Sequence, residues 1–173
     1  MAKMKGKKKL NKAIKKALAP LGVENVKLHT EWQYDFETDT LYYSLTECIT
    51  DIWFNEYIRD TFRYIVGNTG EDVFLISVLH EIGHRETIDF ISDKTYNKCL
   101  EEKEKIFEAI ENAETETEAK KIEYKYFALT DENQATEWAV NYARKHRKKV
   151  KKMQRAVAEA VVKFYEKNGV TAD

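Results

Sequence analysis

The residues best suited to chemistry are Leu79-His80-Glu81-Ile82-Gly83-His84. Residues four apart on a helix lie on one face, a turn apart. The imidazoles of His80 and His84 can therefore reach one ion, at roughly 2.0 to 2.1 Å each. Glu81, beside the first of them, is placed to accept a proton from an attacking water. The motif comes late in the apolar run Val73–His84, VFLISVLHEIGH, where two histidines and a glutamate are costly without a partner. A divalent cation supplies one. A pair of hydrogen-bonded core histidines is the plainer alternative.

A catalytic zinc site takes three protein ligands and leaves one position open. The third ligand is expected from a separate segment, Thr130–Ala139, TDENQATEWA. If Thr130 caps a helix there, Glu132 lies in its first turn, and Ala135, Thr136, Ala139 and Ala143 follow along the same stripe. Small residues on that stripe let the helix approach the His80–His84 helix closely. Glu132 is thus the expected third ligand, with Glu137 in reserve. The competing view is that Glu132 is a favourable acid at a helix N-terminus. Glu86 and Asp89 are less suited, because they continue the first helix or the turn after it. His146 lies about 20 Å beyond Glu132 along a straight helix and cannot share the ion unless that helix breaks. His29, in a predicted strand, reads as a packing or surface histidine.

HEIGH followed by such a helix resembles the zinc peptidases called gluzincins, and among them the small ImmA/IrrE-type metallopeptidases of phages and mobile elements. Their second motif runs roughly ExEAxxFA and is matched here by Glu132–Ala139. Gln134 replaces a common glutamate, and Thr136 stands where many relatives have an acid or asparagine that steadies a ligand histidine. The resemblance spans residues 69–143. It implies Zn2+ held by His80, His84 and Glu132, with Glu81 taking the proton of water and passing it to the leaving amine. The implied activity is hydrolysis of a peptide bond in a specific intracellular protein, a regulatory one included. Tyr124, Tyr126 and Tyr142 are candidates, by position, for the donor that steadies an oxyanion. The resemblance also offers the strand Leu41–Leu45 as an edge along which an extended peptide lies.

The elements that must position these groups follow from periodicity. Residues 1–20 form a basic tail or short helix ending near Pro20, and 21–173 form one domain, an expectation that suits a chain of 173 residues. Val26–Trp32 and Asp35–Leu45 read as strands, the latter with a turn at Glu37-Thr38-Asp39. Helical spacing sets in over Asp51–Gly67, and Thr69–Asp72 then resembles a capping box ahead of Val73–His84. Residues 94–128 predict a solvated helix, and Asp131 to Lys167 one long helix or two, ended by Gly169. The expected class is α+β: a small antiparallel sheet near the N-terminus, packed against a helical, zincin-like core with long C-terminal helices.

No apolar run approaches the roughly 18 to 20 residues of a membrane span, and no apolar segment follows the lysines of the N-terminus as in a signal peptide. Cys48 and Cys99 stand alone, which suits a reducing compartment. A cytoplasmic protein with no membrane partner is expected. The net charge of -1 conceals an asymmetry. Residues 1–16 carry eight lysines and residues 144–155 eight lysines or arginines, neither with an acid, while 17–143 carry a net -16. Internal charge complementarity is the plain reading. The alternative is that the basic segments touch nucleic acid or an acidic partner. A non-catalytic binding protein acting through them is the function that competes with a peptidase.

Overall fold

The computed structural model describes residues 5–45, 64 and 72–169. The helix expected over Asp51–Gly67, Tyr64 apart, lies outside them, as do Thr69–Glu71 and Cys48. The architecture is α+β, a small sheet with long helices. Helix α1 spans Lys7–Leu18 and buries Leu10, Ile14 and Leu18, so the N-terminal segment is part of the core rather than a tail. A 3-10 turn carries Pro20, and Gly22 follows at φ 70°, a left-handed conformation that glycine adopts without strain.

Strands β1 (Asn25–Leu28), β2 (Gln33–Asp35) and β3 (Thr40–Tyr43) form one sheet in the order β1-β3-β2. The turn between β2 and β3 falls where expected. The Asp35 carboxylate accepts hydrogen bonds from the N–H groups of Glu37 and Thr38 and from the Thr38 hydroxyl. The sheet is mixed rather than wholly antiparallel: β2 pairs antiparallel to β3, but β1 pairs parallel to it. The link His29–Trp32, at about 3.3 Å per residue, can span two strand spacings of about 4.8 Å, which leaves room for β3 to insert between β1 and β2. Leu41 and its neighbours are therefore the central strand. Among the described residues the edges of the sheet are β1 and β2, so the edge along which an extended peptide could lie is not Leu41–Leu45.

Helix α2 (Asp72–Thr87) is the hub; Leu75, Ile76, Val78, Leu79 and Ile82 are all buried. A 3-10 turn, Ile88–Phe90, leads to α3 (Asp93–Glu111), capped by the Ser92 hydroxyl accepting from the Thr95 N–H. Helix α4 (Glu116–Phe127) is capped in the same way by Thr115. The stretch read as one solvated helix is thus a helical hairpin. It has a small core of its own, in which Cys99, Ile106 and Leu129 pack with Ile110, Ile122 and Tyr126. Helices α5 (Thr130–Lys145) and α6 (Arg147–Asn168) follow, separated by a break at His146, φ -117° and ψ 31°. Gly169 closes α6 at φ 66°, as expected. Thr130 is not the cap of α5: Leu129 holds that position, and Thr130 is the first helical residue. No helix of the described residues is long and apolar enough to cross a membrane.

Candidate metal centre

Helices α2 and α5 pack face to face. Ala135, Thr136, Ala139 and Ala143 are buried on α5, the small-residue stripe anticipated from sequence. The approach is close at Gly83 of the HEIGH segment. A Cβ built there would lie 2.3 Å from the carbonyl oxygen of Ala135 and 2.9 Å from its Cα. That atom belongs to backbone and cannot swing away. Gly83→Ala is therefore expected to push α5 off α2, destabilising the protein by roughly 1 to 3 kcal/mol, an overpacking cost, and weakening metal retention. Thermal melting beside metal content checks both; a variant that melts like wild type and keeps its metal would show that the spacing is not needed.

This spacing brings Glu132 onto the two histidines. Its Oε2 lies 3.0 Å from His80 Nε2 and 3.6 Å from His84 Nε2, and the two Nε2 atoms are 3.1 Å apart. Ligand atoms placed tetrahedrally at about 2.0 to 2.1 Å from one ion are separated by roughly 3.3 Å, so the three atoms fit a single zinc. Among the described residues they form the one group of three metal-ligating side chains so arranged. Behind His80, the Thr136 hydroxyl lies 3.1 Å from Nδ1. When it accepts the Nδ1 proton, the Nε2 lone pair faces the carboxylate, and two acceptors at 3.0 Å need a cation or a proton between them. In that tautomer Thr136 holds the ring in place.

Burial raises the Glu81 carboxyl above its ordinary value, overcoming the pull of His80 and His84. A carboxyl so placed holds its proton more firmly than one in water, which suits a group that receives a proton and gives it up again. For Glu132, burial pushes upward too, yet its hydrogen bonds to His80 and His84 outweigh it and hold the carboxyl well below the usual range.

Two further residues reach the ligands: Lys103, which spacing did not reveal, and Tyr126, one of the three candidate tyrosines. Lys103 on α3 places its Nζ 2.6 Å from Glu132 Oε1 and 2.5 Å from Asp131 Oδ2. One oxygen of Glu132 is thereby occupied, and the other is left for an ion. The remaining oxygen of Asp131, Oδ1, is buried and has no hydrogen-bond partner among the described residues. Tyr126 stands over the same carboxylate, and burial followed by the nearness of Glu132 keeps its phenol protonated, hence a donor. Of the three tyrosines considered, it is the one that lines the cleft; Tyr124 is half exposed, and Tyr142 stacks on Trp138.

The other candidates lie elsewhere. Glu137 is exposed and receives a hydrogen bond from Asn133, Glu86 pairs with Arg85, and Asp89 is exposed on the 3-10 turn. His146 does sit at a helix break, but it packs on Tyr142 instead of joining the ligands. His29 packs against Tyr42.

The ligands open into a cleft of about 960 Å³. One wall is β2 with its flanks, from Glu31 to Glu37; the other is the α3–α4 hairpin, through Phe107, Ile110, Glu123 and Tyr126. No protein-family model, curated protein or solved structure matches the chain.

Proposed function

We propose that the chain is a zinc-dependent endopeptidase that cleaves a protein substrate in the cytoplasm, where the buried thiol of Cys99 stays reduced. One observation carries this reading: three lone-pair atoms converge at tetrahedral spacing, with Glu81 beside them, at the floor of an open cleft. A purely structural zinc site takes four protein ligands and has no use for an adjacent buried acid. Zinc, when bound, supplies Lewis acidity toward a scissile carbonyl and makes water nucleophilic near neutral pH.

The rest falls to the chain's own side chains. Thr136 fixes the His80 ring, and Lys103 fixes Glu132 by one oxygen. Glu81 receives the proton of the attacking water and delivers it to the leaving nitrogen. Tyr126 donates to the oxygen that gains negative charge. The free edge of β2 offers backbone groups to which an extended peptide adds as a strand, and Phe107 and Ile110 face its side chains from the opposite wall.

The experiment joins metal content to cleavage. Wild type and Glu81→Gln are assayed for zinc by elemental mass spectrometry, then incubated with a proteome-derived peptide library whose products are read by mass spectrometry. About one zinc per chain in both proteins is expected, with cleavage lowered by roughly 10² to 10⁴ in Glu81→Gln. Protein that neither retains nor takes up zinc would sink the peptidase reading. Zinc in both proteins, without any cleavage that depends on Glu81, would favour a non-catalytic zinc-fold binding protein.

A further inference from the structure

The two basic segments, far apart in sequence, lie on helices that pack on one another, with the start of α1 at the C-terminal end of α6. The Lys5 N–H donates to Asn168 Oδ1, the Asn168 amide donates back to the Lys5 carbonyl, and a Cβ at Gly6 would touch the Lys167 side chain. Starting from the end of α6, α1 runs back toward the basic half of that helix, whose 22 residues are about 33 Å long. Six lysines of α1 are exposed, and so are Arg147, Lys148, Lys149, Lys152 and Arg155 of α6.

Among the described residues none of these side chains forms an ion pair, while Arg147 donates to the Tyr64 carbonyl and lies over its ring. The first turns of both helices lack an acid, and Lys8, Lys12 and Lys16 follow one another at i,i+4, where like charges destabilise a helix. A surface with that much like charge attracts anions. The apolar face of α1 is already buried in the core, so this helix cannot lie in a lipid surface. The acidic remainder of the chain is repelled by a polyanion, which leaves the basic face to choose the orientation.

We propose that α1 and the first half of α6 form one binding surface for the phosphate backbone of nucleic acid. Neither helix offers a cluster of amide or aromatic side chains for base edges, so recognition is of charge and shape, without sequence preference. None of the basic residues lines the cleft, and the surface works whether or not the metal centre is catalytic.

The test uses the full chain with a labelled duplex of mixed sequence and a single strand of the same length, titrated between about 50 and 200 mM salt by fluorescence anisotropy. Two variants are compared with wild type: Lys8→Gln/Lys12→Gln/Lys16→Gln on α1 and Lys148→Gln/Lys152→Gln/Arg155→Gln on α6. All six positions are exposed, and unchanged thermal melting confirms intact folds. With six or more phosphates contacted, wild-type affinity for the duplex is expected to fall about 10³-fold across that range. Each triple variant should flatten the slope of log K against log salt by about 2.7, or by about 2.1 if the single strand is the ligand.

Absence of binding at the lowest salt overturns the proposal, as does binding that ignores salt. Sensitivity to one triple alone shows that the helices do not act as a single surface, and also overturns it. Light scattering without nucleic acid provides the last arm. Low-salt self-association abolished by either triple, with no oligonucleotide bound, would assign the face to the acidic body of a second copy instead.

Discussion

Glu132→Ala is expected to lower zinc affinity by at least about 100-fold, because losing even a group behind a ligand costs 10- to 100-fold. No neighbour can replace it. Asp131 is held by Lys103, and Glu137 is exposed on another face of α5. Competition against a chromophoric chelator measures the loss, and an affinity within a few-fold of wild type would remove Glu132 from the ligand set. The pH dependence adds a second readout. Burial pulls the His84 imidazolium down, but its hydrogen bond to Glu132 and the nearby carboxylates outweigh burial and leave it above 6.5. Glu132 itself is held well below 4.5. A raised histidine stabilises the metal-free protein fully below pH 6.5 and ceases to do so as pH rises through its raised value. A lowered glutamate stabilises above pH 4.5, and that contribution is lost as pH falls through its lowered value. Both contributions coexist on the acid side of neutrality, where protons compete hardest with zinc. Wild-type affinity should therefore drop steeply from about pH 8 to pH 6, and the drop should be shallower in Glu132→Ala.

The second large effect is expected at Lys103. Its ammonium is mostly buried between two carboxylates, and their attraction outweighs burial to keep it charged. Lys103→Met removes that cation and leaves Asp131 and Glu132 side by side, each with a side chain 2% exposed. Breaking a buried pair on one side costs about 3 to 5 kcal/mol. For a chain of this size that lowers the melting temperature by roughly 6 to 20 °C. Lys103→Arg should recover most of the loss. Saturating zinc should narrow the gap, since an ion at Glu132 supplies positive charge from the other side. Circular dichroism melts of metal-free and zinc-loaded protein make the comparison. A change under about 1 kcal/mol would mean that solvent already screens the cluster.

Much of this centre is legible in the residue order because helix geometry alone relates its parts. His80 and His84 share a face by their spacing, and the alanines beyond Glu132 mark the side of α5 that must come close. Lys103 was out of reach for a different reason: its partners exist only after the α3–α4 hairpin folds onto the start of α5. A trace of it is still present. Cys99, Ile106 and Ile110 pack in the hairpin core at helical spacing, and Lys103 interrupts that apolar stripe. In the sheet, alternation indicates which side chains point inward, as for Leu41 and Tyr43, but not which strands are neighbours. The position of β3 between β1 and β2 depends on the reach of the link before it. The two basic segments are obvious as composition, whereas the packing of α1 on α6 has no sequence signature.

The small separate core of the α3–α4 hairpin has a consequence for how the cleft behaves. A segment packed mostly on its own cluster, and tied to the rest through Leu129, Phe127 and Lys103, can open at less than the global unfolding free energy. Its charged tie runs through Lys103 to the same carboxylate that faces the histidines. Ion occupancy and hairpin position are then two ligands of one group, and thermodynamic linkage makes their influence mutual: whatever factor docking of the hairpin contributes to metal affinity, the metal returns to docking. On the proposed reading, an ion bound at Glu132 would bias the width of the cleft, and a substrate held between β2 and the hairpin would draw on the same equilibrium.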